Sequence, residues 1–197
     1  MNRDKKVFLV LDLETTGFGF NAGVTEIVVK WFREEYDEIS TLIDELTKPM
    51  VTIPQNIVEL NGITNAMVRG REEFTEVFHR LSSVIDSLKR DGYNVYMVAH
   101  NMAFEKRFLA WNLTQRAFKS MEMICTRNNH LFIKDGDIQK NKFTKEYSRL
   151  ENVAEYYSIE FDKDKAHRAE YDVDITIEIF KRQLKDMKIS QMETLMK

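Results

Sequence analysis

The sequence predicts an α/β fold, a mixed five-stranded sheet flanked by helices, and three observations carry that expectation. Val7-Phe8-Leu9-Val10-Leu11 is a short, unbroken apolar run, the pattern of a central strand covered on both faces. Two segments rich in β-branched and aromatic residues follow across short connections, Val24 to Phe32 and Ile39 to Leu46. From Phe74 onward, apolar residues recur at helical spacing, and helices alternate with further strands.

The elements follow in order. Gly17 to Gly23, with Asn21, supplies the turn between the first two strands. Links this short make the first three strands an antiparallel meander, since a parallel pair needs a long crossover. Ile53-Pro54 breaks the chain, and Asn61-Gly62-Ile63-Thr64 reads as a turn with Thr64 as an N-cap. Phe74, Val77, Phe78, Leu81, Val84, Ile85 and Leu88 form the apolar face of a helix that Asp91-Gly92 closes. Val95 to Ala99 is the fourth strand, Phe104, Phe108 and Trp111 mark the next helix, and Glu122 to Cys125 is a short fifth strand. Lys134 to Arg149, with five basic and three acidic residues, reads as a surface loop or as a flap over backbone phosphates. Helices around Leu150 to Tyr157 and from about Ala169 to Leu184 complete the pattern, the second with Val173, Ile177, Phe180 and Leu184 on its apolar face.

Composition narrows the class. A length of 197 residues with 43% apolar and 31% charged residues fits one soluble domain over residues 1–197. The net charge of −3 argues against a bulk electrostatic grip on duplex DNA, but leaves room for an enzyme that holds one strand end. Cys125 stands alone, which excludes an internal disulfide and a cysteine-rich zinc site. Without a signal-peptide pattern or a membrane-length apolar stretch, the expected location is cytoplasmic, with no membrane partner.

Three clusters carry chemistry. Asp12 and Glu14 end the first strand on the same side, about 7 Å apart. Each raises the other's pKa unless a positive charge sits between them, and hard carboxylate oxygens suit magnesium or manganese. The second cluster, His100 to Glu105, lies where the fourth strand hands over to a helix, with Asn101 as a candidate cap. Glu105 in a first helical turn is also explained by the helix dipole alone. The third, His167-Arg168-Ala169-Glu170-Tyr171-Asp172, places a histidine in the loop before the last long helix. Taken singly, each cluster has a bland reading as solvated or capping groups.

Taken together, the three segments resemble the DEDDh (DnaQ-like) family of 3′→5′ exonucleases, above all the proofreading epsilon type of bacterial DNA polymerases. Asp12-Leu13-Glu14-Thr15-Thr16-Gly17 matches that family's first motif, His100-Asn101-x-x-Phe104 the second up to its last position, and His167-Arg168-Ala169-x-x-Asp172 the third. Ile53-Pro54 with Gly62-Ile63-Thr64 is similar to the family's linking segment, and Cys125-Thr126 to its fifth-strand ending. One position departs: the second motif ends in Glu105 where the family has aspartate.

The resemblance implies an RNase H-like fold and two divalent cations, Mg2+ or Mn2+, about 4 Å apart. It implies Asp12, Glu14, Glu105 and Asp172 as metal ligands and His167 as the catalytic general base, a task suited to an imidazole. Phe18 and Phe104 are expected to stack on the terminal nucleotide, and the backbone at Thr15 and Thr16 to receive its 3′ hydroxyl. The implied reaction releases nucleoside 5′-monophosphates from the 3′ end of a single strand, with DNA favoured over RNA. An RNA-trimming exoribonuclease of the RNase T or oligoribonuclease type and a silent nucleic-acid-binding module are the alternatives. The tail beyond Lys185 shows no recognisable polymerase-docking segment, so a polymerase partner is possible without being indicated, and a free-standing nuclease is the expectation.

Overall fold

The opening apolar run folds as β1 (Lys6–Thr15), with both faces covered. Val7, Leu9 and Leu11 join one core while Phe8 and Val10 join the other. The structure is a computed structural model and describes residues 5–19, 21–34, 38–112, 121–135 and 145–196. Because successive side chains alternate faces, a doubly covered strand offers few places for a polar group until it leaves the sheet, and Asp12 and Glu14 stand at that end.

β2 (Val24–Arg33) pairs antiparallel with β1, and β3 (Ser40–Leu46) antiparallel with β2. β4 (Asn94–Ala99) lies parallel to β1 on its other side, followed by β5 (Glu122–Cys125). The described residues thus form a mixed five-stranded sheet in the order β3-β2-β1-β4-β5. A register shift between Glu14 and Thr15 turns the end of β1 away from strict pairing.

Helices cover both faces. On one lie α3 (Phe74–Arg90) and α4 (Met102–Asn112), whose Val77, Phe78, Leu81, Ile85, Met102 and Leu109 meet Leu9, Leu11 and Val29. On the other lies α7 (Ala169–Asp186), whose Val173, Ile177 and Phe180 meet Phe8, Val10 and Phe32, with α8 (Ile189–Thr194) adding Met192. α6 (Leu150–Tyr156) packs on the outside of α7 through Val153, Ala154, Ile175 and Ile179.

Four helices depart from the sequence expectation, among them α8, which follows the helix expected to be the last. The segment after Ile53-Pro54 is not only a turn but two short helices, α1 (Gln55–Asn61) and α2 (Asn65–Val68). Gly62 joins them in the left-handed region at φ 74°, and Thr64 caps α2, its Oγ1 accepting from the Met67 N–H at 3.3 Å. After Cys125 the chain forms α5 (Thr126–Asp135), which takes Lys134 out of the expected loop. The remainder of that loop or flap lies outside the described residues, apart from a 3-10 turn at Lys145–Ser148 and Arg149. Among the described residues, no helix is long and apolar enough to cross a membrane.

Candidate active site and metal centre

β1 delivers Asp12 and Glu14, α4 delivers Glu105 from its first turn, and α7 delivers Asp172 from its first turn. These carboxylates are close enough to oppose one another's ionisation. Burial foremost, then the charges of Glu105, Asp172, Glu14 and Glu26, push Asp12 well above the usual carboxylate range. Glu14 rises to about 8, by burial with Asp172 and Glu26 adding, although a hydrogen bond from Asn61 and the Arg168 charge work the other way. Asp172 rises to about 7 through burial with help from Glu26, against a backbone hydrogen bond from His167. Glu105 is pushed well up by burial and by Glu14, with Arg107 opposing.

Two further observations fit a cation among them. Glu105 is only 3% exposed, and its Oε2, like Asp172 Oδ1, is buried without a hydrogen-bond partner. Oxygens of Glu14 and Asp172 and a ring nitrogen of His167 lie within 4.8 Å of one another. Unpaired carboxylate oxygens inside a protein are costly, and a hard divalent ion is the group that such oxygens satisfy best. The donor set therefore suits magnesium or manganese.

The surrounding groups hold these ligands in place. Asn61 donates from Nδ2 to Glu14 Oε2 at 2.9 Å, while its Oδ1 accepts the Ile63 N–H at 3.0 Å. The turn between α1 and α2 thus orients a strand carboxylate. His167 sits in the left-handed region at φ 63°, exposed, and donates its N–H to Asp172 Oδ2 at 3.3 Å. Glu26 on β2 lies opposite Glu14 and binds Arg168 and the Ala169 N–H. Sequence reasoning assigned no role to Asn61, Glu26 or Arg168. The signal for Glu26 was a carboxylate inside the apolar run of β2, and for Asn61 its place beside the Gly62-Ile63-Thr64 segment.

Of the expected substrate contacts, Phe18 and Phe104 meet each other. Phe18 is 76% exposed and meets Phe104 edge-on at 5.8 Å, and Phe104 meets Phe108 at 5.1 Å. Arg107 lies over the Phe104 ring at 5.1 Å and donates to the Phe18 carbonyl at 3.2 Å. Thr15 and Thr16 are buried, and their hydroxyls are engaged locally, Thr15 donating to the Gly17 carbonyl and Thr16 accepting from the Gly23 N–H. The Thr16 N–H is itself given to the Gly23 carbonyl at 2.9 Å.

Two residues of the second motif turn out to be architectural. Asn101 stands at the cap position before α4, its backbone carbonyl accepting the Phe104 and Glu105 N–H groups and its side-chain oxygen accepting from Arg127 at 3.4 Å. His100 is buried, with Nδ1 on Thr126 Oγ1 and Nε2 on the Ser148 carbonyl, both at 2.9 Å. A carbonyl only accepts, so the single ring proton sits on Nε2. Burial, reinforced by Arg127 and His130, lowers this imidazole to about 4.

The exonuclease family RNase_T matches residues 9–180 of this chain. The PolC-type DNA polymerase III of Clostridium perfringens is 32% identical over 187 residues, covering 92% of this chain but 11% of the polymerase. The DNA polymerase III subunit epsilon of Aquifex aeolicus is 29% identical over 183 residues, covering 91% of this chain and 81% of that protein. Among solved structures, the nuclease domain of 3'hExo, a DEDDh family member bound to rAMP, superposes with a TM-score of 0.68 at 17% identity, covering 94% of this chain and 95% of that one. At that identity the likeness is one of fold.

Proposed function

Because this chain belongs to the RNase_T exonuclease family, we propose that it is a metal-dependent 3′→5′ exonuclease that shortens single-stranded DNA and releases nucleoside 5′-monophosphates. The observation that carries this reading is the convergence of Asp12, Glu14, Glu105 and Asp172, with Glu14 and Asp172 beside the His167 ring and two buried carboxylate oxygens left unpaired. Those four side chains would hold two divalent cations, magnesium or manganese. Such ions, when bound, lower the pKa of water and neutralise charge on a leaving oxygen.

The residues then divide the work. His167 takes the proton of the attacking water as general base. The water oxygen bonds to phosphorus, the bond from phosphorus to the 3′ oxygen breaks, and the shortened strand keeps a 3′ hydroxyl. Phe18 and Phe104 stack on the splayed terminal base, and Arg107 beside them faces the strand with a positive charge. Carbonyls at Thr15 and Thr16 accept from the terminal 3′ hydroxyl. The similarity to DNA polymerase III proteins favours DNA over RNA.

Digestion of matched 5′-labelled DNA and RNA oligonucleotides, with magnesium, manganese or chelator, tests this. The expected result is a 3′-shortened ladder from DNA, dependent on metal, with mononucleotide product. Faster trimming of RNA would move the substrate class. Intact oligonucleotides of both kinds in both metals would instead indicate a silent binding module.

A further inference from the structure

We infer that Glu26 is a positioning residue for His167, latching the loop that carries the imidazole onto β2. The inference rests on the reading of His167 as the general base. Glu26 is directly opposite Glu14 in the β1–β2 ladder, so it is a fifth carboxylate at the same end of the sheet. At 3% exposure it is not a solvated acid. Both of its oxygens are taken by the residues that follow His167. Oε1 accepts from Arg168 Nη2 at 2.8 Å, and Oε2 accepts from the Ala169 N–H at 3.0 Å and from Arg168 Nε at 3.4 Å.

That geometry makes Glu26 the cap of α7, supplied from another element. Arg168 occupies the N-cap position of α7 and makes no side-chain cap of its own, and Ala169 is the first helical residue. A carboxylate at the first N–H of a helix satisfies an orphan donor and meets the positive end of the dipole. The bidentate grip on Arg168 fixes the guanidinium's position as well as its charge. His167 is one residue upstream, in a left-handed conformation that an L-residue with a side chain leaves unless it is held. Two tethers hold it: Asp172 through the His167 N–H, and Glu26 through the residues on its C-terminal side. Glu26 therefore acts on the reaction through imidazole placement and not as a ligand.

A double-mutant cycle separates this from simple stabilisation. Turnover of a 5′-labelled oligodeoxynucleotide at saturating manganese is compared for wild type, Glu26→Gln, Arg168→Ala, His167→Ala and the double variants that combine His167→Ala with each latch change. Manganese affinity and thermal melts are recorded for every protein. Glu26→Gln and Arg168→Ala should each lower kcat about 10–100-fold at saturating manganese, the scale of a misplaced catalytic group, with KM unchanged and any shift in manganese affinity too small to lower occupancy there. In the His167→Ala background the same changes should cost less than about twofold, because the group they position is gone. An equal loss in both backgrounds, or a loss explained by weaker manganese binding, overturns the latch. Wild-type turnover by His167→Ala would instead defeat the general-base reading itself. Should Glu26→Gln fail to fold, Arg168→Ala, which trims a partly exposed side chain, decides the question alone.

Discussion

Position 105 holds a glutamate where the resembled family has aspartate, and the longer arm ends in buried surroundings. The extra methylene carries the carboxyl into a buried position where one oxygen finds no protein partner and Glu14 lies near enough to resist its ionisation. Under the proposed function Glu105 is a metal ligand, and Glu105→Ala should cost roughly 10²–10³-fold in turnover, the several kcal/mol expected of a lost metal contact. Glu105→Asp should retain much of the rate, with a larger share in manganese than in magnesium, because magnesium demands near-ideal octahedral geometry. Wild-type rates for Glu105→Ala in both metals would show that this carboxylate only favours the start of α4. His167→Ala should lower kcat by roughly 10²–10⁴-fold while single-strand binding, read by fluorescence anisotropy, stays close to wild type. The sequence made these side chains visible because their chemistry is carried by residue type and spacing. Asn61, Glu26 and Arg168 escaped because their roles exist only once β1, β2, α1 and α7 are brought together, and no local pattern encodes that meeting.

At the level of elements, α7 has two duties that sit on different faces. Its first turn presents Asp172, while Val173, Ile177 and Phe180 are buried against the sheet. Phe180 lies edge-on to Phe8 at 5.0 Å and near Phe32 at 6.2 Å. Phe180→Ala should therefore cost about 3–5 kcal/mol of unfolding free energy, measured by urea denaturation, with little change in rate per folded molecule. A comparable loss of kcat in the folded fraction would show that the two faces are coupled. The meander, α3, β4, α4 and β5 were legible because their apolar residues keep the period of their element. α5 was not, because Thr126, Asn129 and His130 are buried polar residues that replace the usual apolar face. Asn129 donates to Gln183 Oε1 at 3.0 Å, and Gln183 donates to the Thr126 carbonyl at 2.7 Å. α1 and α2 were hidden by their length, since seven and four residues leave too few turns for a period.

For the molecule as a whole, the carboxylate cluster makes stability depend on pH and, under the proposed function, on metal. Glu14 at about 8 and Asp172 at about 7 lie above their ordinary values of 4.5 and 3.8, and Asp12 and Glu105 are raised as well. The metal-free fold then binds more protons than the unfolded chain, so this contribution is present at acid pH and lost as pH rises through 7 and 8. His100, lowered from 6.5 to about 4, works in the opposite sense, its contribution being lost as pH falls from 6.5 towards 4. The acids outnumber the single histidine, so protein in chelator should melt at a higher temperature at pH 6 than at pH 8. Manganese at pH 8 should raise the melting temperature, by about 2.7 kcal/mol of added stability at a hundredfold excess over its Kd. Asp12→Asn should raise the melting temperature in chelator at pH 8 and abolish the manganese response. A melting temperature that climbs from pH 6 to pH 8 without metal would contradict this account.

The order of the strands bears on how such a protein is made. β1 precedes the other described elements along the chain and takes the centre of the sheet, while Asp172 and His167 come only with the loop before α7 and its first turn. A chain emerging from the ribosome thus displays Asp12 and Glu14 long before it can assemble the rest of its cutting centre. Under the proposed function, the growing polypeptide is harmless to the RNA-built machine that makes it. Under the same reading, prematurely terminated chains that stop before residue 167 would lack His167 and Asp172, and with them this cutting centre.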